Sequence, residues 1–190
     1  SRRTMKRYGV DWRMLKGKIQ TAICGYGRPE AELQATYTAI GKTNLILGAI
    51  VHPSKNTNRS YPTHCSEAKI IRRLLDSKGG GVLIYSLTGL DGRTFFAMSQ
   101  ISSLVAKYED FFIENKRVDK TVKCNIEYTV LELHDQRLLI LLNQQNKMLK
   151  FHVDLSKPHS ISDYFDNRQM NTKNISGTIN PGQVKAYLVR

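Results

Sequence analysis

From Trp12 onward the apolar residues recur at Trp12, Leu15, Ile19, Ala22 and Ile23, a helical spacing, with Arg13, Lys16 and Lys18 on other faces. This predicts a basic amphipathic first helix that Gly25, Gly27 and Pro29 end. Residues 33–40 then alternate as a half-buried strand does. The cluster Gly41-Lys42-Thr43-Asn44 predicts a hairpin turn into the unbroken apolar run Leu45 to Val51, a strand covered on both faces. A polar loop, His52 to Pro62, leads to a helix predicted near 64–77 from Ile70, Ile71, Leu74 and Leu75, with Thr63 as its cap and Gly79, Gly80 and Gly81 as its stop. Val82 to Leu87 reads as a central strand. After it a further helix carries Ile101, Leu104, Val105 and Tyr108 on one side.

Helix and strand alternate up to this point, which predicts a layered α/β domain. From Asp119 the pattern changes. Strands are predicted within Thr121 to Leu133, Gln136 to Asn143 and Met148 to Leu155, joined by turns at His134-Asp135 and Gln144 to Asn146, a meander. Residues 156–181 read as polar and turn-rich, with a last strand at Val184 to Val189. The expected organisation is an α/β domain over 1–118, including its basic N-terminal segment, and a β-rich extension over 119–190 packed on the same sheet.

Composition sharpens this picture. The chain has 190 residues, 41% hydrophobic and 24% charged, enough to bury a core and too ordered in composition for a disordered tail. No apolar run approaches the roughly 20 residues of a membrane-spanning helix, so no membrane partner is expected. Lys and Arg number 29 against 16 Asp and Glu, a net charge of +13. The excess sits at the ends: Arg2, Arg3, Lys6, Arg7, Arg13, Lys16, Lys18 and Arg28 face only Asp11 within the first 28 residues. Such a segment suits a polyanion, because each cation that neutralises a phosphate releases counterions. Tyr8 and Tyr26 lie among these charges, where rings stack on single-stranded bases. RNA or single-stranded DNA is therefore the expected partner, beside protein partners in a larger assembly. Three cysteines, Cys24, Cys65 and Cys124, leave at least one thiol unpaired, which suits an intracellular, reducing compartment. The N-terminus lacks the apolar stretch of an export signal, while organelle import stays open.

The stretch Tyr61-Pro62-Thr63-His64-Cys65-Ser66-Glu67 carries the most chemistry. It sets Cys65 and Glu67 at the start of a helix that directly precedes a strand. A helix N-terminus stabilises a thiolate, which could ligate a metal, and a carboxylate two residues on could shuttle the proton of a metal-bound water. Cys65 as a small buried hydrophobe and Glu67 as a favourable first-turn charge are the plainer readings of the same residues.

The order of elements over residues 12–112, with Cys65-Ser66-Glu67, resembles the zinc-dependent cytidine deaminase family and its nucleic-acid and toxin relatives. The resemblance implies a three-layer domain around a central mixed sheet, zinc on Cys65 and proton transfer by Glu67. It is incomplete. Where the family's second motif, Pro-Cys-x-x-Cys, opens a helix, this chain has Phe96 to Ile101, so that Met98 and Ile101 stand in for two thiolates. Isoleucine has no donor atom and a thioether matches zinc poorly. Cys24, Cys124, His52 and His64 are conceivable substitutes with no recognised zinc-site spacing.

The expectation is therefore a catalytically degenerate, deaminase-like protein that binds nucleic acid, or serves a ribonucleoprotein, through its basic N-terminal region and holds no cofactor. Two alternatives stay open: an active zinc-dependent cytosine or adenine deaminase, and a structural subunit of a large assembly such as a capsid or ribosome-like particle.

Overall fold

The structure, a computed structural model, describes residues 21–24, 46–51, 65–76, 81–84, 90–114, 117–123 and 126–190. It divides into two units, residues 1–65 with 72–90, and residues 66–71 with 91–190.

In the first unit Thr21–Cys24 (β1), Ile46–Val51 (β2) and Val82–Ile84 (β3) form a parallel sheet in the order β1-β2-β3. Helix Glu67–Asp76 (α1), whose residues 67–71 belong to the second unit, lies between β2 and β3 in the chain, the crossover that parallel neighbours require. Its ends suit the helix dipole, with Glu67 in the first turn and Arg73 in the last. Arg72 and Arg73 both reach Asp76, at 2.9 and 3.1 Å.

Two expectations are corrected here. Ala22 and Ile23, assigned by spacing to a first helix, are strand residues: pairing of Thr21 to Cys24 with β2 outweighs a local helical pattern that β-branched Thr21 and Ile23 support weakly. The hairpin into β2 also gives way, because β2 is flanked on both sides by parallel strands. The rest of that first helix and residues 33–40 lie outside the described residues.

In the second unit helix Gly92–Lys107 (α2) begins at Asp91, whose carboxylate accepts the Thr94 N–H and the Thr94 hydroxyl, each at 2.9 Å. Thr94, Ala97, Ile101 and Leu104 form its buried face. The chain turns at Tyr108 into a short helix, Glu109–Ile113 (α3), which buries Phe111 and Phe112 and packs against the sheet strand Ile126–Leu133 (β5).

Strands Arg117–Lys123 (β4), β5 and Gln136–Leu142 (β6) form a meander, though not the expected one: Thr121 to Leu133, read as a single strand, spans parts of two paired strands, and the strand expected at Met148 to Leu155 does not pair with β6. The remaining strands are Leu149–Asp163 (β7), Arg168–Ile179 (β8) and Val184–Val189 (β9). The six-strand order is β4-β5-β6-β9-β7-β8, antiparallel throughout. Residues 156–181, expected as turns, are thus mostly a long hairpin.

That hairpin is bent. Its register shifts between Asp154 and His159, where Ser156 has φ +64° and gives its N–H to Asp154, and Pro158 contributes no donor. Beyond the bend Ile161 to Asp163 pair with β9, whereas the described pairings of Leu149 to Asp154 are with β8 alone. The bend lets Leu149, Phe151, Ile175 and Ile179 fold over Ile126, Leu139, Leu141, Tyr187 and Val189 as one apolar cluster. Leu138, Ile140 and Leu142 alternate with these on β6 and are also buried, so β6 is covered on both faces, as its unbroken apolar run requires.

Candidate functional site

The expected site residues are placed unevenly. Arg2, Arg3, Lys6, Arg7, Arg13, Lys16, Lys18, Arg28 and Tyr26 all lie outside the described residues, as do Cys124, His52 and His64. Cys24 falls in β1. Cys65 is completely buried. Among the described residues no group of three His, Cys, Asp or Glu side chains could hold a metal.

Glu67 has a structural occupation. Its carboxylate accepts the Val184 N–H at 3.4 Å, and the neighbouring Ala68 N–H, one of the unpaired donors at the start of α1, goes to the Gly182 carbonyl at 2.9 Å. Burial pushes the Glu67 carboxyl above its usual range, with the Val184 bond pulling the other way. The first turn of α1 is thereby clasped to the turn before β9. Gly182 makes the approach possible: its φ is +74°, and a Cβ there would stand 2.8 Å from Ser66 Cβ. Asn143 completes the clasp from below, its carbonyl taking the Gly182 N–H at 2.8 Å and its buried side chain giving hydrogen bonds to the Lys147 and Ile179 carbonyls.

The feature with ligand-binding chemistry is elsewhere. A cleft of about 740 Å³ opens between the α2–α3 corner and the ends of β6 to β9, all within the second unit. Lys107, Tyr108, Asp110 and Phe111 form one wall; Gln136, Ser162, Gln169, Leu188 and Arg190 come from strand ends, and Asp163, Asn167 and Arg168 from the hairpin turn between β7 and β8. Ser162 pairs with both Gln169 and Leu188, so these three side chains share a row across three strands.

The turn is rigid for identifiable reasons. Asp163 is buried, and its carboxylate accepts the N–H groups of Phe165 and Asp166 at 3.0 and 3.2 Å. Asn167 takes φ +49°, which asparagine tolerates. Tyr187 hydrogen-bonds Asp163, and burial followed by the charges of Asp163 and Asp166 pushes its phenol well above the usual tyrosine range. The Lys185 ammonium holds Asp166 at 3.1 Å and lowers its carboxyl. Opposite, the Lys107 ammonium lies 5.7 Å from the Tyr108 ring centre and 5.2 Å from that of Tyr164. Burial raises the Tyr108 phenol, and Arg190 opposes that shift.

Sequence reasoning found none of this cleft. Its residues are spread from 107 to 190 and meet only through strand register; the weak signal was the run of hydrogen-bonding side chains Asp166-Asn167-Arg168-Gln169 between two alternating segments.

No known protein family matches the sequence, and no curated protein does. Among solved structures the chain is similar to an α-amylase from Geobacillus thermoleovorans, at 10% identity and TM-score 0.48 over 91% of this chain and 60% of that one. It is similar to α-galactosidase I from Mortierella vinacea, at 12% identity and TM-score 0.47 over 94% and 70%. An α-amylase from Anoxybacillus gives 12% identity and TM-score 0.47 over 82% and 40%. The chain spans between 25% and 70% of the lengths of these and the further glycosidase neighbours. At such scores the likeness assigns this chain neither a fold nor an activity. The expected deaminase family is corrected by the structure itself: the described N-terminal sheet is parallel rather than mixed, and Glu67, expected to shuttle a proton, serves the clasp. The deaminase-like reading of the function falls with that resemblance, the basic residues on which a nucleic-acid partner was expected lie outside the described residues, and the assembly-subunit alternative gains no support. What stands is the coarser class: mixed α/β with an antiparallel sheet.

Proposed function

We propose that the second unit is a ligand-binding module whose cleft takes a small, hydroxyl-rich molecule of the saccharide or polyol kind. One observation carries the reading: acceptors and donors stand on both walls of the cleft, and only Phe111 and Leu188 of its lining are apolar. Gln136, Asn167 and Gln169 each offer an acceptor and two donors in one plane, Asp110 offers acceptors, and Lys107, Arg168 and Arg190 offer donors. A hydroxyl group gives one hydrogen bond and accepts others, so a ligand rich in hydroxyls satisfies such a lining, whereas an apolar ligand would strand it. Binding rather than catalysis is the role proposed, because the one buried carboxylate, Asp163, is committed to two backbone N–H groups and Tyr187.

The test is calorimetric titration of the full chain with glucose and with maltose. Millimolar binding, about −4 kcal/mol, that weakens severalfold in Gln136→Leu and Gln169→Leu supports the reading. No heat for either sugar, or heat that both substitutions leave unchanged, overturns it.

A further inference from the structure

Helix α2 has an outer face that carries rings where charges belong. Thr94, Ala97, Ile101 and Leu104 turn inward, and on the opposite side Phe95, Phe96, Ser99, Ser102, Ser103 and Ala106 are exposed. Phe95 is 58% and Phe96 62% exposed, two of the four exposed large apolar side chains among the described residues. No charged residue lies between Arg93 and Lys107, although 24% of the chain is charged. The solvent side of a surface helix is ordinarily its charged side, and neighbouring rings left in water there mark a contact surface.

The two ends of the face differ, and the difference selects the occupant. Phe95 and Phe96 stand at its N-terminal end, Ser102, Ser103 and Ala106 at its C-terminal end. A second copy running the opposite way therefore lays rings over small side chains at both ends, where close approach is possible. Charge agrees. The Arg93 side chain, 76% exposed, holds Asp91 through Nε and Nη2 and keeps donors to spare. Glu109, the first residue of α3 just past the other end, is exposed and makes no ion pair among the described residues. A two-fold axis at the level of Ile101 sets Phe96 against Ala106 of the second copy, Ser99 against Ser103 and Arg93 against Glu109, each contact made twice. It also lays the two helix dipoles antiparallel. A parallel copy would instead set ring on ring and Arg93 on Arg93.

We infer that the outer face of α2 is a self-association surface, on which two copies of this chain pair antiparallel through Phe95 and Phe96 with Arg93 of each facing Glu109 of the other. The inference goes beyond the saccharide reading and does not depend on it, since none of these four residues lines the cleft. The footprint of one such helix, about 24 Å long and 10 Å wide, falls short of the roughly 800 Å² per partner of a standard interface, so the dimer is a weak, micromolar one.

The experiment is sedimentation velocity of the full chain across the micromolar range, without sugar. It compares wild type with the double variant Phe95→Ser, Phe96→Ser, with Arg93→Glu and Glu109→Arg singly, and with the charge exchange that combines those two. Wild type should show a concentration-dependent monomer–dimer equilibrium. Loss of both rings should raise its dissociation constant about tenfold or more. Each single charge reversal should weaken the dimer, and the exchange should return it to within about twofold of wild type. Arg93 and Glu109 stand at opposite ends of α2 in one copy, so only contact between copies produces that recovery. A monomer at every concentration overturns the inference, whether the face then takes a membrane or another protein. A dimer that ignores the loss of both rings overturns it by placing the contact elsewhere, and one that the charge exchange fails to restore overturns the antiparallel pairing. All four side chains are exposed, and an unchanged circular dichroism spectrum certifies each variant's fold.

Discussion

Gly182 is where the structure makes its sharpest energetic demand. Alanine there meets two costs. At φ +74° a residue with a Cβ sits in the left-handed region, at about 1–2 kcal/mol. The new methyl also stands 2.8 Å from Ser66 Cβ, an atom fixed to the backbone of α1's first turn, and overpacking of this kind costs roughly 1–3 kcal/mol. The residue cannot slide away, because its N–H is bound to the Asn143 carbonyl and its carbonyl to the Ala68 N–H. Gly182→Ala should therefore destabilise by about 3 kcal/mol and lower the melting temperature by roughly 6–12 °C. The two costs separate in a double-mutant cycle. Ser66→Gly alone costs a few tenths of a kcal/mol at a helix start, yet combined with Gly182→Ala it removes the clash and restores about 1–2 kcal/mol. Urea denaturation of the four proteins, followed by circular dichroism, measures this. A Gly182→Ala effect below about 0.5 kcal/mol, or strictly additive single effects, would refute the clasp between α1 and the turn before β9.

Three further outcomes follow from the same geometry. Glu67 has a raised carboxyl in the folded state, so the fold binds its proton more tightly than the unfolded chain and Glu67 costs stability above its folded pKa; Glu67→Gln should match or exceed wild type at pH 7, an advantage that disappears as the pH falls to about 4, and a large loss at pH 7 would contradict this. Asp91 behaves oppositely: burial tends to raise its carboxyl, but the Thr94 N–H, Arg93 and the Thr94 hydroxyl together hold it well below the usual carboxylate range. Asp91→Ala should cost about 1 kcal/mol at neutral pH as a lost helix cap, with the difference from wild type shrinking as pH falls below about 4; a pH-independent difference in acid titrations would count against it. Asn143→Ala strands the buried Ile179 carbonyl and the Gln145 N–H, and should cost roughly 2–3 kcal/mol in thermal or urea melts.

Legibility in the sequence tracked how many layers each segment is buried by. Leu138 to Leu142 and Val184 to Val189 are covered on both faces, so their apolar runs announce themselves, and both strands lie within a residue of where the pattern sets them. Helix α1 was equally plain from Ile70, Ile71 and Leu74. The hairpin of β7 and β8 was hidden because of its described side chains in 168–179 only Ile175 and Ile179 are buried, and because Lys157-Pro158-His159 reads as a loop when it is the bend in a strand. Spacing misled at Ala22 and Ile23, since helical periodicity in a short window cannot see a parallel partner at Ile46 to Ala49. The candidate chemistry failed for a related reason. Cys65 and Glu67 looked informative because they lie two residues apart at a helix start, whereas the cleft is lined by Lys107, Gln136, Arg168 and Arg190, which are far apart in the chain. No local pattern marks residues that only strand register unites.

The cleft reading is tested most directly by mapping backbone amide shifts while the full chain is titrated with maltose. Shifts gathered at Gln136, Ser162, Arg168, Gln169, Leu188 and Arg190, saturating together at one affinity, are the predicted result. Shifts that are absent, or that saturate while these six amides stay fixed, would contradict it.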